Sequence, residues 1–354
     1  DMAARGLLRE SRDGPAPGRA REPGRPGVAV EIDPRGAHFL GVEIGVGVVR
    51  YALLDLAADV VASAEERVDP AAQPAAVVRA IARRTDALAR DRRFRGRIRS
   101  IGVTVPGLVT LDGHVVHLPI LGWRDLDLRE ALDDAAGLPC FVENNATAAA
   151  FGAVYVETSM PRACTIFLKL GAGCGGAAVV NGRVLRGAAG TAGEFGHLRI
   201  AAGGPRCYCG QRGCLETFVN VAALSRAYAG RECTTADLDD LPTAVAQALL
   251  GGDRRARRAA DALCRRLGEG LVALVNVFNP STIVLGGPMR PLLEPLLPRL
   301  SAAVAAGIVS GTVVPDVRLS TTGLLECAVG AAAVAHHHYF DVPALDPARR
   351  ETAP

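Results

Sequence analysis

Cys207, Cys209 and Cys214 form a C-x-C-x4-C run, and His197 lies ten positions before the first of them. Glycines within the run supply sharp turns, so three thiolates and an imidazole can converge on one tetrahedral ion. Zinc suits that donor set, whereas calcium and magnesium ask for an oxygen shell that this stretch does not offer. The competing reading is a disulfide plus a spare thiol. Closely spaced C-x-C cysteines rarely reach disulfide geometry, and the rest of the nine cysteines stand singly in apolar runs, as in a reduced cytosolic protein. The expected ligands are His197, Cys207, Cys209 and Cys214, and the expected ion is zinc.

Three further groupings could carry chemistry. Glu143-Asn144-Asn145 closes an apolar strand and opens a helix, a junction whose side chains commonly face a cleft. Asparagines there also serve as helix caps, and the two roles are compatible. Gly45-Val46-Gly47 and Gly171-Ala172-Gly173 each follow a strand, and such turns often satisfy backbone geometry only. The elements that hold these groups are alternating. Residues 39–44 and 48–56 have the pattern of a hairpin, 75–89 of a helix and 98–105 of a strand. Residues 167–170 have the pattern of a buried strand, and 219–229 and 256–278 that of helices. Residues 279–287 form turn, strand and glycine pair. Residues 324–339 make a final helix of small side chains, with His336, His337 and His338 at its end. Trp123 is taken as core, as are Cys264 and Cys327.

A chain of 354 residues with 49% hydrophobic content can bury a sizeable core in about two lobes. The net charge of +3 decides little, and Lys169 is the only lysine. No apolar run is long enough to cross a membrane, and the first residues lack the basic-then-apolar order of a secretion signal, so a cytoplasmic protein without membrane partners is expected.

Gly193-Glu194-Phe195-Gly196-His197 followed by C-x-C-G-x-x-G-C-L-E, ending at Glu216, resembles the signature of the ROK family of sugar kinases and sugar-responsive repressors. The resemblance implies a two-lobed α/β fold of the actin-like ATPase, ribonuclease-H-like sugar kinase type with a zinc-stabilised loop. It makes the zinc structural: the ion holds the loop, 194–216, that presents sugar-contacting residues. It implies sugar binding by Gly107, Asn144, Asn145, Glu194, His197 and Glu216, with His197 offering one ring nitrogen to zinc and the other to the sugar. It also implies a lobe at 36–152 onto which helix 324–340 packs back, a second lobe at 153–323, and a tail at 341–354.

Against that pattern several positions depart. The family's first phosphate turn has the form D-I-G-G-T, in which amides approach the ATP phosphates and the acid helps place magnesium. Here Glu43, Gly45 and Gly47 stand with a valine between the glycines and no hydroxyl. The second phosphate loop, Gly171 and Gly173, has Ala172 where threonine is usual. The family's E-N-D-A-N supplies an aspartate as general base, and Asn145 replaces it here; an amide cannot take up a proton near neutral pH, so no catalytic residue is assigned. ATP and Mg2+ are accordingly not expected.

Residues 1–35 resemble the wing and exit linker of the winged helix-turn-helix in ROK repressors, through Gly6-Leu7-Leu8-Arg9-Glu10, a basic loop and Gly24-Arg25-Pro26. The leading expectation is a ROK-type sugar-responsive repressor, catalytically inactive, binding a monosaccharide or derivative between its lobes. It would act as a homodimer or higher oligomer and meet operator DNA only if a helix-turn-helix precedes residue 4. An ATP-dependent hexose kinase, glucokinase-like, is the alternative, and a sugar-binding body without a DNA role is the third.

Overall fold

The computed structural model describes residues 2–11, 29–156, 160 and 163–340. The basic loop with Gly24, Arg25 and Pro26, and the tail at 341–354, lie outside the described residues. Strands β1 (Leu8–Glu10) and β2 (Val30–Ile32) pair antiparallel, and Leu7 beside them is buried against Ala37, Phe39, Leu56 and Ala335.

Two sheets of the same plan make the body. In the first, β3 (His38–Ile44), β4 (Val48–Asp55) and β5 (Val60–Arg67) run as an antiparallel meander. Helix α1 (Pro74–Arg90) then leads to β6 (Ile98–Val105), parallel to β3. A small sheet of β7 (Leu108–Val109), β8 (Val115–Leu118) and β9 (Trp123–Leu126) follows, then α2 (Leu128–Ala136) and β10 (Cys140–Asn144), parallel to β6. Every residue of β3 and β4 is buried, as expected of central strands covered on both faces.

Helix α3 (Asn145–Val156) crosses to the second sheet, where β11 (Cys164–Leu170), β12 (Cys174–Val180) and β13 (Arg183–Val184) repeat the antiparallel meander. The cysteine loop and helices α4 (Glu216–Val219), α5 (Val221–Tyr228), α6 (Asp237–Leu250) and α7 (Arg254–Phe278) come next. They are followed by β14 (Thr282–Gly286), α8 (Arg290–Leu293), α9 (Leu297–Gly307) and β15 (Asp316–Leu319), with β14 parallel to both β11 and β15. The strand orders β5-β4-β3-β6-β10 and β13-β12-β11-β14-β15 are therefore equivalent. In each, the turn after the central strand carries one of the glycine pairs.

Helix α10 (Glu326–Tyr339) lies on the first sheet and against α3, which itself lies on the second. Its small residues permit backbone-close packing. A Cβ at Gly41 or Gly102 would collide with the carbonyls of Ala328 or Ala331, and one at Gly330 with that of Ala148. His336 is half-buried among Phe39, Tyr155 and Phe340, so the three histidines end a helix in an aromatic cluster.

Helix α7 shows how local signals and burial agree. Asp253 caps it, its carboxylate accepting hydrogen bonds from the amides of Arg255 and Ala256, and Asn279 ends it in the left-handed conformation. Its buried stripe from Ala256 to Val275 faces the second core. We expect Asp253→Ala to lower stability by about 1 kcal/mol, the usual cost of a lost carboxylate cap, with the urea midpoint shifted and the slope unchanged.

Candidate functional site

The cleft between the two sheets holds a cavity of about 420 Å3. Gly107, Asn144, Asn145, Glu194, His197 and Glu216 all line it, as do Glu43, Gly45, Gly171 and Gly173. Gly47 sits one step outside, its turn packed near Pro70 and Thr235.

At one end stands the cysteine loop. His197 Nδ1 lies 3.5 Å from Cys207 Sγ, Cys209 Sγ lies 3.7 Å from Cys214 Sγ, and all four ligand atoms fall within 4.8 Å of one another. A tetrahedron built with ordinary zinc bond lengths has S–S edges of about 3.8 Å and N–S edges of about 3.6 Å, so the donor set fits the ion. No disulfide joins the nine cysteines. Gly210 and Gly213 have positive φ, which lets the loop double back, and Cys214 is fully buried. The chain then runs directly into Glu216, whose Oε2 accepts a hydrogen bond of 3.2 Å from the amide of Cys174 in the second sheet. Cysteine loop and cleft wall are thus one continuous piece.

Sequence reasoning leaves the second ring nitrogen of His197 to a ligand. The structure puts Tyr208 Oη on it, at 2.9 Å, with Glu194 Oε2 at 3.7 Å. Tyr208 lies between two of the candidate metal ligands and lines the cleft, a role its position in C-x-C could have suggested.

At the strand-to-helix junction Asn144 is largely committed to the protein. Its Oδ1 accepts from the amides of Ala146 and Thr147, at 2.8 and 3.1 Å, and its Nδ2 donates to the carbonyl of Gly107 at 2.8 Å. It both caps α3 and ties that helix to the loop after β6. Asn145 is the first residue of α3 and borders the cavity. Glu143 is buried and paired with Arg186 of the other lobe; burial pushes its carboxyl up and Arg186 opposes the rise.

The far end is charged. Lys169 Nζ lies 3.0 Å from Glu43 Oε1, and Arg50 Nη1 lies 3.6 Å from Glu43 Oε2. Burial alone would raise the Glu43 carboxyl, yet Lys169 and Arg50 hold it below its ordinary value. Arg50 also meets Glu65 at 3.0 Å and Asp239 of α6 at 3.6 Å. Neither Lys169, Arg50 nor Asp239 stands out in the sequence as a site residue, because each sits in an otherwise ordinary strand or helix. Trp123 is buried, and its indole N–H donates to the carbonyl of Ala72, outside the cleft.

Comparison with known proteins places this geometry. Residues 39–338 match the model of the ROK family. The chain is 32% identical over 307 residues to a glucokinase of Halalkalibacterium halodurans, covering 80% of this chain and 91% of that one. It is 29% identical over 316 residues to the DNA-binding transcriptional dual regulator NagC of Escherichia coli, covering 86% of this chain and 75% of that one. A crystal structure of a ROK family transcriptional regulator, a homologue of the E. coli MLC protein, superposes with a TM-score of 0.76 at 25% identity, covering 96% of this chain and 87% of that one. Kinases and repressors alike share the two-lobed fold. The chain belongs to the ROK family.

Proposed function

We propose that this protein is a sugar-responsive transcriptional regulator that binds a monosaccharide or derivative in the interlobe cleft and does not phosphorylate it. Asn145 carries the reading. It contributes an amide at the mouth of α3, inside the cleft, where proton abstraction from a sugar hydroxyl would need a carboxylate. Glu194, Glu216, His197 and the carbonyl of Gly107 add acceptors and donors suited to a polyol, whose buried hydroxyls must each find a partner. A structural zinc ion held by His197, Cys207, Cys209 and Cys214 organises that wall.

Residues 1–35 fit the wing and linker of a DNA-binding module. The β1–β2 hairpin is fixed to the body through buried Leu7 and through Arg5, which donates to Tyr339 Oη at 2.7 Å. A shift in the lobes would therefore reach the hairpin by way of α10. Differential affinity of the sugar for two lobe arrangements is what such control requires, and a cytoplasmic homodimer is the form in which it would act on operator DNA.

A panel of hexoses, pentoses and N-acetylated amino sugars tests the reading by thermal shift. One sugar should raise the melting temperature in a dose-dependent way, because ligand bound only by the folded state adds RT ln(1 + [L]/Kd) to its stability. A coupled assay with ATP, Mg2+ and the same sugar should show turnover no faster than the uncatalysed background. Robust phosphorylation abolished by Glu194→Ala would establish the hexose kinase instead.

A further inference from the structure

Glu43 and Lys169 hold equivalent places in the two lobes. Glu43 lies on β3 two residues before Gly45, and Lys169 lies on β11 two residues before Gly171. Each strand is the central one of its sheet, and each glycine opens the turn after it. The duplicated topology therefore brings opposite charges face to face at the base of the cleft, in a chain with one lysine.

Around this pair the lobes are closed on each other. Arg50, directly across the ladder from Glu43, reaches Asp239 of α6, and Arg67 reaches the same carboxylate at 3.6 Å. Thr235 stands over the Gly47 turn, its Cγ2 3.8 Å from where a Cβ on that glycine would be. Glu326, buried at the start of α10, feels the charges of both Lys169 and Glu43. Of these two buried carboxylates it is Glu43 that pairs with the ammonium, with the Arg50 guanidinium behind it.

A divalent cation carrying nucleotide phosphates needs oxygen ligands from the protein, and at this end of the cleft they would come from Glu43 and its neighbours. We propose that Lys169 is the specificity-determining residue of the cleft: its ammonium, paired with Glu43 across the lobes, takes the place a divalent cation would need, so the cleft admits an uncharged polyol and turns away a metal-bound nucleotide. Magnesium therefore does not fit these residues as they stand. The inference rests on the sugar-binding reading above, and it assigns the exclusion of nucleotide to one side chain.

The test is binding of Mn2+ with the non-hydrolysable ATP analogue AMPPNP, followed by loss of the free Mn2+ signal in electron paramagnetic resonance and by calorimetry. The wild-type chain should leave the signal unchanged at millimolar analogue. Lys169→Met, which keeps the stem and removes the charge, should free Glu43 and Glu326 and tighten Mn2+·AMPPNP binding by about tenfold or more. Lys169→Thr, suited to a strand, serves if the methionine variant does not fold. Adding Glu43→Gln to either should cancel the gain. Wild-type binding of Mn2+·AMPPNP, no gain in the lysine variants, or a gain indifferent to Glu43→Gln would each overturn the assignment. Sugar-induced stabilisation of the wild type, measured in parallel, separates the two readings: its absence removes the sugar sensor, while wild-type binding of the analogue with that stabilisation intact removes only the role given to Lys169.

Discussion

Cys214→Ser should release the metal, abolish sugar-induced stabilisation and cost more than about 4 kcal/mol of stability, a range that point changes reach chiefly when a core, a buried charge or a metal site is lost. Cys214 is the ligand with the least freedom. It is fully buried, its neighbour Leu215 is fully buried against Gly270, and the amide of Leu215 donates to the carbonyl of Leu198. Without an ion, three thiols and an imidazole would be left crowded within 4.8 Å, held by thiol contacts such as that of Cys207 Sγ with Glu216 Oε1 at 3.4 Å, which are far weaker than metal–ligand bonds. The loop would then relax, and Glu216 and Tyr208 would leave the positions they have in the cleft wall. Elemental analysis should find one zinc per chain in the wild type and much less in the variant, and calorimetry with the active sugar should show no heat. A variant that retains both its melting temperature and its sugar response would mean that the cysteine loop is organised without metal. Cys209, exposed at the rim, should tolerate serine better, since water can complete the coordination there.

The convergence of His197, Cys207, Cys209 and Cys214 was legible in the sequence because they lie within eighteen residues and the glycines among them declare the turns. The strands flanking Gly45 and Gly171 were legible for a similar reason: both are long apolar runs broken by turn residues, and β6 occupies the range its pattern predicts. The charged end of the cleft was not. Lys169 and Glu43 are 126 positions apart, and only the matching plan of the two sheets brings them together. That duplication leaves only a short trace in the residues, Val42-Glu43-Ile44-Gly45-Val46-Gly47 against Leu168-Lys169-Leu170-Gly171-Ala172-Gly173, with opposite charges at the matching position. Helix α6 is equally faint in the sequence. Three aspartates in its first turn and Pro242 inside it disguise the apolar face of Leu241, Val245 and Ala246, so nothing in the sequence points Asp239 toward Arg50.

The same charged end makes stability depend on pH, and Glu326→Gln should expose the effect. Glu326 is 3% exposed, and neither carboxylate oxygen has a hydrogen-bond partner among the described residues, although Ser320 and the amide of Gly287 are near. Burial pushes its carboxyl up to about 7; Lys169 opposes the shift and Glu43 adds to it. A carboxyl raised in the folded state favours folding fully below its ordinary value of 4.5, and that contribution disappears as pH rises through about 7. Glutamine cannot ionise. The variant should therefore match the wild type near pH 4.5 and exceed it at pH 8 by on the order of 3 kcal/mol, the free energy of roughly two to three pKa units. Urea melts at intervals from pH 5 to pH 8.5 should show the two midpoints diverging as pH increases. A constant gap would mean that the carboxyl of Glu326 is not raised by burial, and would overturn the expectation. Divergence would show instead that near neutrality Glu326 takes up the proton, leaving the charge of Lys169 to Glu43 and to the junction of the two lobes.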